Sequence, residues 1–190
     1  MRAKINENGF WEGEEASSQH KHDPKLSNGL IEFFINEKAD SVVDLGCGMG
    51  KYVMDFIDNK INAHGYDGNP NTPELTNNIC KILDLSIPTK FDQPFSWVMS
   101  LEVGEHLPSK FEDIFINNLH NNNVNGILLS WALKGQGGDG HVNEQNNDYI
   151  KSKICKLGYT NDVIAEEKLR KSVSLWWFKK TIMVFRKNKD

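Results

Sequence analysis

Apolar positions change period repeatedly along this chain, and the changes mark out alternating helices and strands. Leu26, Leu30, Phe33 and Phe34 recur at helical spacing up to about Lys38. They follow Asp23-Pro24, a capping residue and then proline at the first helical position. Residues 41–45 read as a short buried strand that runs into Gly46-Cys47-Gly48-Met49-Gly50. Val53, Phe56 and Ile57 then share one face of a helix over 51–59. Residues 61–66 predict a second strand ending at Asp67, followed by one or two helical turns at most over 72–77. A third strand over 79–83 ends at Asp84, and a fourth over 95–101 ends at Glu102. Phe111, Ile114, Phe115 and Leu119 predict a helix, and 124–131 a fifth strand. A glycine-rich loop over 133–141 precedes a helix over 144–157. The stretch 159–178 has no decided period, although 162–173 suits a helix; 181–186 reads as the last strand.

Strands alternating with helices imply right-handed crossovers and a mostly parallel sheet between helical layers, an α/β three-layer sandwich. The 190 residues suit one domain, expected over 24–190. Residues 1–23 show no sustained period but carry Phe10, Trp11, His20 and His22; they read as a lid over that domain or a flexible leader. The formal charge of −4 weighs against a nucleic-acid partner, which usually requires a basic face. No apolar run approaches the roughly 18 residues of a membrane span. The polar, acidic N-terminus is neither a signal nor a transit peptide. Cys47, Cys80 and Cys155 are odd in number and lack CxxC spacing. Reduced thiols and a cytoplasmic location are therefore expected. Oligomeric state is not readable from these features.

The chemistry concentrates around the glycine loop. Glycines let a backbone turn tightly and approach a ligand, and the helix that follows offers free N–H groups. A dinucleotide fingerprint would place its third glycine at position 51, where this chain has lysine. Asp44, just before the loop, would repel a pyrophosphate but suits the cationic amino and sulfonium groups of S-adenosyl-L-methionine. Asp67 ends the second strand, where a carboxylate can accept from both ribose hydroxyls. Asp84 ends the third, within reach of an adenine amino group.

These segments resemble class I S-adenosylmethionine-dependent methyltransferases. VVDLGCGMG (42–50) is similar to their first motif, GYDGN (65–69) to the second-strand acid and KILDLS (81–86) to the third. SLEVGEHLP (100–108) is similar to a segment common in small-molecule members. A narrower resemblance, over SWA and GQGGDGHVN (130–143), is to methyltransferase-domain proteins without an assigned acceptor. The resemblance spans roughly 24–187. It implies a Rossmann-like, mostly parallel seven-stranded sheet, with the sixth strand reduced; Trp176-Trp177-Phe178 is the segment offered for that strand. It also implies S-adenosyl-L-methionine as cofactor and S-adenosyl-L-homocysteine as product. Asp44, Gly46, Gly48 and Gly50 would line the methionine end. Asp67 with Gly68 would hold the ribose, and Asp84 with Leu85 the adenine. Glu102 would stand near the amino acid or the reacting centre.

Methyl transfer to a hydroxyl or ammonium requires proton removal, and a histidine suits that task. His106, oriented or raised in pKa by Glu105, is one expected base. His141, in the glycine-rich loop, is the preferred one. His22 is expected to close over the cofactor from the lid. His20, His22 and Asp23 make an incomplete ligand set, so no metal is expected. Trp176 and Trp177 are expected in the core, whereas Trp131 is balanced between core and pocket. Lys134 and Arg170 are weaker candidates for meeting an anionic acceptor. The fourth-strand motif is not (N/D)PP(Y/F), and no Pro-Cys nucleophile is present. The expected acceptor is therefore a small molecule carrying oxygen or nitrogen: a metabolite, a sugar or a phosphorylated polysaccharide precursor. A protein side chain as acceptor and a catalytically inactive cofactor-binding regulatory subunit are the alternatives.

Overall fold

The computed structural model describes residues 4–13 and 20–189, so 1–3 and 14–19 of the expected leader lie outside the described residues. A hairpin of β1 (Lys4–Ile5) and β2 (Trp11–Glu12) precedes the main domain. The domain then runs α1 (Pro24–Asn36), β3 (Val42–Leu45), α2 (Lys51–Asp58), β4 (Ala63–Asp67), α3 (Thr72–Leu75), β5 (Cys80–Ile82) and β6 (Phe95–Leu101). It continues with α4 (Glu112–Asn121), β7 (Asn123–Ser130), α5 (Asn147–Cys155), β8 (Tyr159–Asn161), α6 (Val163–Lys171), α7 (Phe178–Thr181) and β9 (Met183–Lys187).

The seven strands lie in the order β5-β4-β3-β6-β7-β9-β8. The first five pair in parallel, β9 runs antiparallel to β7, and β8 runs antiparallel to β9. The chain winds outward from β3 in one direction and from β6 in the other. The crevice beyond the carboxyl ends of β3 and β6 is thus the switch point where open α/β sheets bind ligands.

Strand period two sorts the core onto both faces. Val43, Val98, Ile127, Leu129, Met183 and Phe185 pack with Phe115, Leu119, Ile150 and Ile154 of α4 and α5. Val42, Trp97, Met99, Leu128 and Val184 pack with Leu26, Leu30, Phe34, Phe56 and Leu169 of α1, α2 and α6. The start of α1 is built as its sequence implies: Asp23 caps it by accepting from the Lys25 and Leu26 N–H groups.

Two expectations are corrected. The sixth strand is β8, not Trp176-Trp177-Phe178. At three residues, with only Tyr159 buried, it is too short to print a period. Asn123 Nδ2 anchors it by donating to Tyr159 Oη at 2.7 Å. The helix expected over 144–157 begins at Asn147 instead. Glu144 is drawn out of it, because its carboxylate accepts from the Gly135 and Gly137 N–H groups, each at 2.7 Å. No helix among the described residues is long and apolar enough to cross a membrane.

Candidate active site

The loop after β3 turns back onto β4, with the Gly46 and Cys47 N–H groups donating to the Tyr66 carbonyl at 2.7 and 3.0 Å. Gly46, Gly48 and Gly50 have φ of +88°, +53° and +64°, a left-handed path that glycine adopts without steric cost. At Gly48 a side chain would run into the His20 imidazole, and at Gly50 it would meet Cys80 Sγ at 2.7 Å. Gly50 gives α2 no side-chain cap, which leaves the first N–H groups of the helix facing the crevice.

The three expected acids stand at successive strand ends around one cavity of about 390 Å³. Asp67 is buried; its Oδ2 accepts from the Gly48 N–H at 2.8 Å and its Oδ1 from the Asn69 N–H at 2.9 Å. Asp44, also buried, is pushed well above the usual carboxylate range by burial first, then by Cys80 and Asp67. Asp84 accepts from the Ser86 N–H and hydroxyl through Oδ1, and from Asn8 Nδ2 at 2.8 Å through Oδ2. Leu85, beside it, is buried. Asn8 belongs to the N-terminal hairpin, which lies across the crevice. Phe10 covers Gly68, leaving no room for a Cβ there, and Gly9 packs against the His106 backbone. Trp11 meets the His106 ring edge-on at 5.9 Å, and Asn69 Nδ2 donates to the Gly13 carbonyl at 3.0 Å.

Both lid histidines border the cavity, and it is His20, not named as a cofactor residue from the sequence, that sits over the glycine loop. His22 borders the cavity, but its Nε2 lies 2.8 Å from Asp55 Oδ2 and its ring packs on Tyr52. His20 is the one seated over Gly48; burial lowers its pKa while Asp67 pulls the other way. A spacing of two residues does not say which ring faces a ligand. Asn8 was missed, since a two-strand hairpin carries no usable period, while Phe10 was read only as part of the lid.

The opposite end of the cavity gathers the remaining candidates. Glu102 has φ +54°, a left-handed backbone at a non-glycine residue, which is a strained arrangement that clusters at functional sites. Its N–H donates to Ser130 Oγ at 2.9 Å, and its Oε2 lies 3.4 Å from Gln136 Nε2. Glu105 is wholly buried, and neither of its carboxylate oxygens meets a hydrogen-bond donor among the described residues. Burial first, and then Glu102, hold its pKa well above the usual range.

The expected orientation of His106 by Glu105 is not found. His106 Nδ1 faces the Gly140 carbonyl at 3.3 Å. Burial, with His141 adding to it, pushes this imidazole down to about 4 rather than up. His141 meets His106 edge-on at 5.0 Å, with its Nδ1 2.9 Å from Glu144 Oε1. The Glu105 carbonyl accepts from the Val142 and Asn143 N–H groups, so the loop after β7 is laced to the segment after β6. Donor atoms of Glu105, His106 and His141 all lie within 4.8 Å of one another, a ligand set that sequence spacing did not reveal.

Trp176 and Trp177 are placed contrary to expectation, and Trp131, which the sequence left open, is decided. Trp131 is core: it is fully buried against Phe115, donates to the Asn143 carbonyl at 2.6 Å and fills the space above Gly104. Trp176 is 56% exposed and Trp177 half-buried, and both border the cavity. They follow α6 in a turn that runs past the crevice instead of into the sheet. Arg170 is structural, donating to the Ile182 carbonyl, and Lys134 is exposed.

The sheet order, the antiparallel β9 and the acids at the strand ends define the fold of class I S-adenosylmethionine-dependent methyltransferases. Among solved structures, the chain is similar to magnesium protoporphyrin IX methyltransferase from Synechocystis PCC 6803 with bound S-adenosyl-L-homocysteine. The TM-score is 0.66 at 14% identity, covering 92% of this chain and 84% of that one. It is also similar to an S-adenosylmethionine-dependent methyltransferase from Clostridium acetobutylicum ATCC 824 (TM-score 0.65, 11% identity, 87% of this chain and 92% of that one). A glycopeptide N-methyltransferase complexed with S-adenosyl-L-methionine matches with TM-score 0.61 at 12% identity, over 87% of each chain. No protein-family model and no curated protein matches the sequence.

Proposed function

We propose that this protein is an S-adenosylmethionine-dependent methyltransferase acting on an oxygen or nitrogen of a small-molecule acceptor. The observation that carries the cofactor is the glycine loop with Asp44, Asp67 and Asp84 at three successive strand ends around one cavity. Its volume falls within the roughly 300–1,000 Å³ of small-molecule sites. Asp44 would face the cationic methionine end, Asp67 the ribose and Asp84 the adenine. His20 over Gly48 and Phe10 over Gly68 are the residues that would close on the bound nucleoside.

The hairpin supports a small-molecule acceptor. Residues 4–13 lie over the crevice with Gly9 against His106, and Ile5 approaches Gly140. A crevice partly covered in this way suits a small molecule, whereas a protein side chain would favour an uncovered groove. Transfer is an in-line displacement: an acceptor lone pair attacks the methyl carbon while the carbon–sulfur bond breaks and its electron pair stays on sulfur. The leaving thioether is neutral and needs no proton, so the chain's task is to align the acceptor and let its own proton go. Glu102, His106 and His141 border the cavity at the end where that proton would leave.

The test is calorimetric titration with S-adenosyl-L-methionine and S-adenosyl-L-homocysteine, then a small-molecule acceptor screen that reads homocysteine release. Micromolar binding and turnover on a small molecule support the reading. Absence of binding by the folded protein would sink it.

A further inference from the structure

We propose that Glu105, His106 and His141 bind a divalent first-row transition-metal ion at the acceptor end of the cavity, with Glu102 beside them. Glu105 supplies the first argument. A carboxylate removed from water is costly unless it is paired, protonated or coordinated to a metal, and both of its oxygens lack a donor among the described residues. Its own N–H and that of Ala132 lie close to the carboxylate and favour its charged form, but burial outweighs them. The neighbouring carboxylate deepens the problem, because Glu102 is in side-chain contact with Glu105 and its Oε1 is also buried without a partner. Two buried carboxylates in contact can both ionise only with a positive charge between or beside them, and otherwise share a proton that a metal ion would displace.

The histidines supply the second argument. Metal-binding imidazoles characteristically give their other ring N–H to a carboxylate or a backbone carbonyl, which fixes the tautomer. His141 has Nδ1 on the Glu144 carboxylate, and His106 has Nδ1 on the Gly140 carbonyl. Nε2 is the nitrogen left over on each ring. Glu144 is itself held by the Gly135 and Gly137 N–H groups, so the outer support has partners of its own.

The three donors lie within 4.8 Å of one another, slightly wider than the spread of about 3–4 Å expected around one ion with bonds near 2.1 Å. Two imidazoles and a carboxylate favour manganese, iron, cobalt, nickel or zinc over magnesium or calcium, which prefer all-oxygen sets. Three protein ligands leave coordination positions open to the cavity, which suits an acceptor hydroxyl. The ion would lower the pKa of that hydroxyl. Its proton would leave to solvent, and the oxygen lone pair would then attack the methyl carbon. This deepens the methyltransferase reading, on which the acceptor role rests, and favours oxygen over nitrogen as the atom methylated.

The experiment titrates metal-free protein, without cofactor, with manganese, cobalt and zinc chlorides by calorimetry, following cobalt also by visible absorption. One ion per chain is expected. Glu105→Gln and His141→Ala should each weaken binding at least about tenfold, and Glu144→Gln by about 10–100-fold. His120→Ala, on the α4 face away from the cavity, should leave it unchanged. Thermal unfolding checks that each variant is folded, and His141→Ala, in a loop, serves if Glu105→Gln is not. No stoichiometric binding by wild type, or binding unmoved in the folded variants, overturns the proposal. A parallel titration with S-adenosyl-L-homocysteine separates the two readings. Homocysteine-ligand binding without metal binding defeats only the metal site; metal binding alone defeats only the methyltransferase assignment.

Discussion

The Gly48 N–H donates to Asp67 Oδ2 over 2.8 Å, so the acid proposed for the ribose also holds the glycine loop in shape. An ionised carboxylate has about four acceptor positions. Two are taken by Gly48 and Asn69, which leaves capacity for two ribose hydroxyls. Asp67→Ala removes both functions. Hydrogen bonds to a charged group contribute about 1.5–3 kcal/mol each, so S-adenosyl-L-homocysteine affinity should fall by at least about tenfold per hydroxyl. The unfolding temperature should also drop, because the buried Gly48 N–H loses its acceptor. Calorimetry and thermal unfolding on one preparation check both, and unchanged affinity would remove Asp67 from the cofactor site.

Gly48→Ala tests the loop from its other side. The residue sits at φ +53°, and an added Cβ runs into the His20 ring. The left-handed backbone alone costs an alanine roughly 1–2 kcal/mol, and the collision displaces His20. Cofactor affinity should fall about tenfold or more. Adding His20→Ala removes the collision but not the backbone strain, so the double variant should still bind more weakly than His20→Ala alone. Equal affinity in those two would mean that φ at this position carries no cost.

What the sequence disclosed follows from length and period. The strands at the centre of the sheet, Val42–Leu45 and Phe95–Leu101, are short and almost wholly buried, so an acid at or just past the end of each stands out from the run around it. Asp44, Asp67, Asp84 and Glu102 were therefore legible before any coordinates, as was the Asp23 cap. Tyr159–Asn161 was not, because an edge strand of three residues has only one inward side chain to signal with. Trp176 and Trp177 read as core because bulk was their only signal, yet they flank a cavity. The meeting of Glu105, His106 and His141 depends on a loop folding back across the strand ends, through Val142 and Asn143 N–H groups on the Glu105 carbonyl. No local pattern encodes such a return.

Asp44 makes cofactor binding depend on pH. Burial, with Cys80 and Asp67 adding to it, keeps its pKa well above the usual range, so it holds its proton into conditions where an exposed aspartate is ionised. A cationic group arriving beside it favours the charged form and lowers that pKa. Binding should then release a proton, and S-adenosyl-L-methionine affinity should rise with pH until that raised pKa is passed. Calorimetry in buffers of different ionisation enthalpy reads the release directly. It should vanish in Asp44→Asn, and a release that persists there would assign it to another group.

Asp23 joins the start of α1 to the turn before Trp176. One oxygen caps the helix through Lys25 and Leu26; the other accepts from the Ser174 and Leu175 N–H groups at 2.6 and 2.7 Å. Its own N–H donates to Tyr52 Oη at 3.0 Å. Burial alone would raise its pKa, but these four backbone donors outweigh it and hold the carboxylate below its ordinary value. A depressed pKa contributes stability in full above the unfolded value of about 3.9, and that contribution is lost as pH falls through the folded value. Asp23→Ala removes a cap and strands two further N–H groups, at a cost on the order of 2–4 kcal/mol. Denaturant unfolding at pH 7 should show that loss, and the variant's stability should fall less steeply than wild type below about pH 4. Asp23→Asn can still accept through Oδ1 and so should retain the α1 cap, while its amide NH₂ faces two N–H donors and fails them. The 174–177 turn should loosen while α1 holds, visible as faster amide exchange there. Equal exchange in wild type and Asp23→Asn would show that the turn is held by its own packing, and that the cavity wall does not depend on this carboxylate.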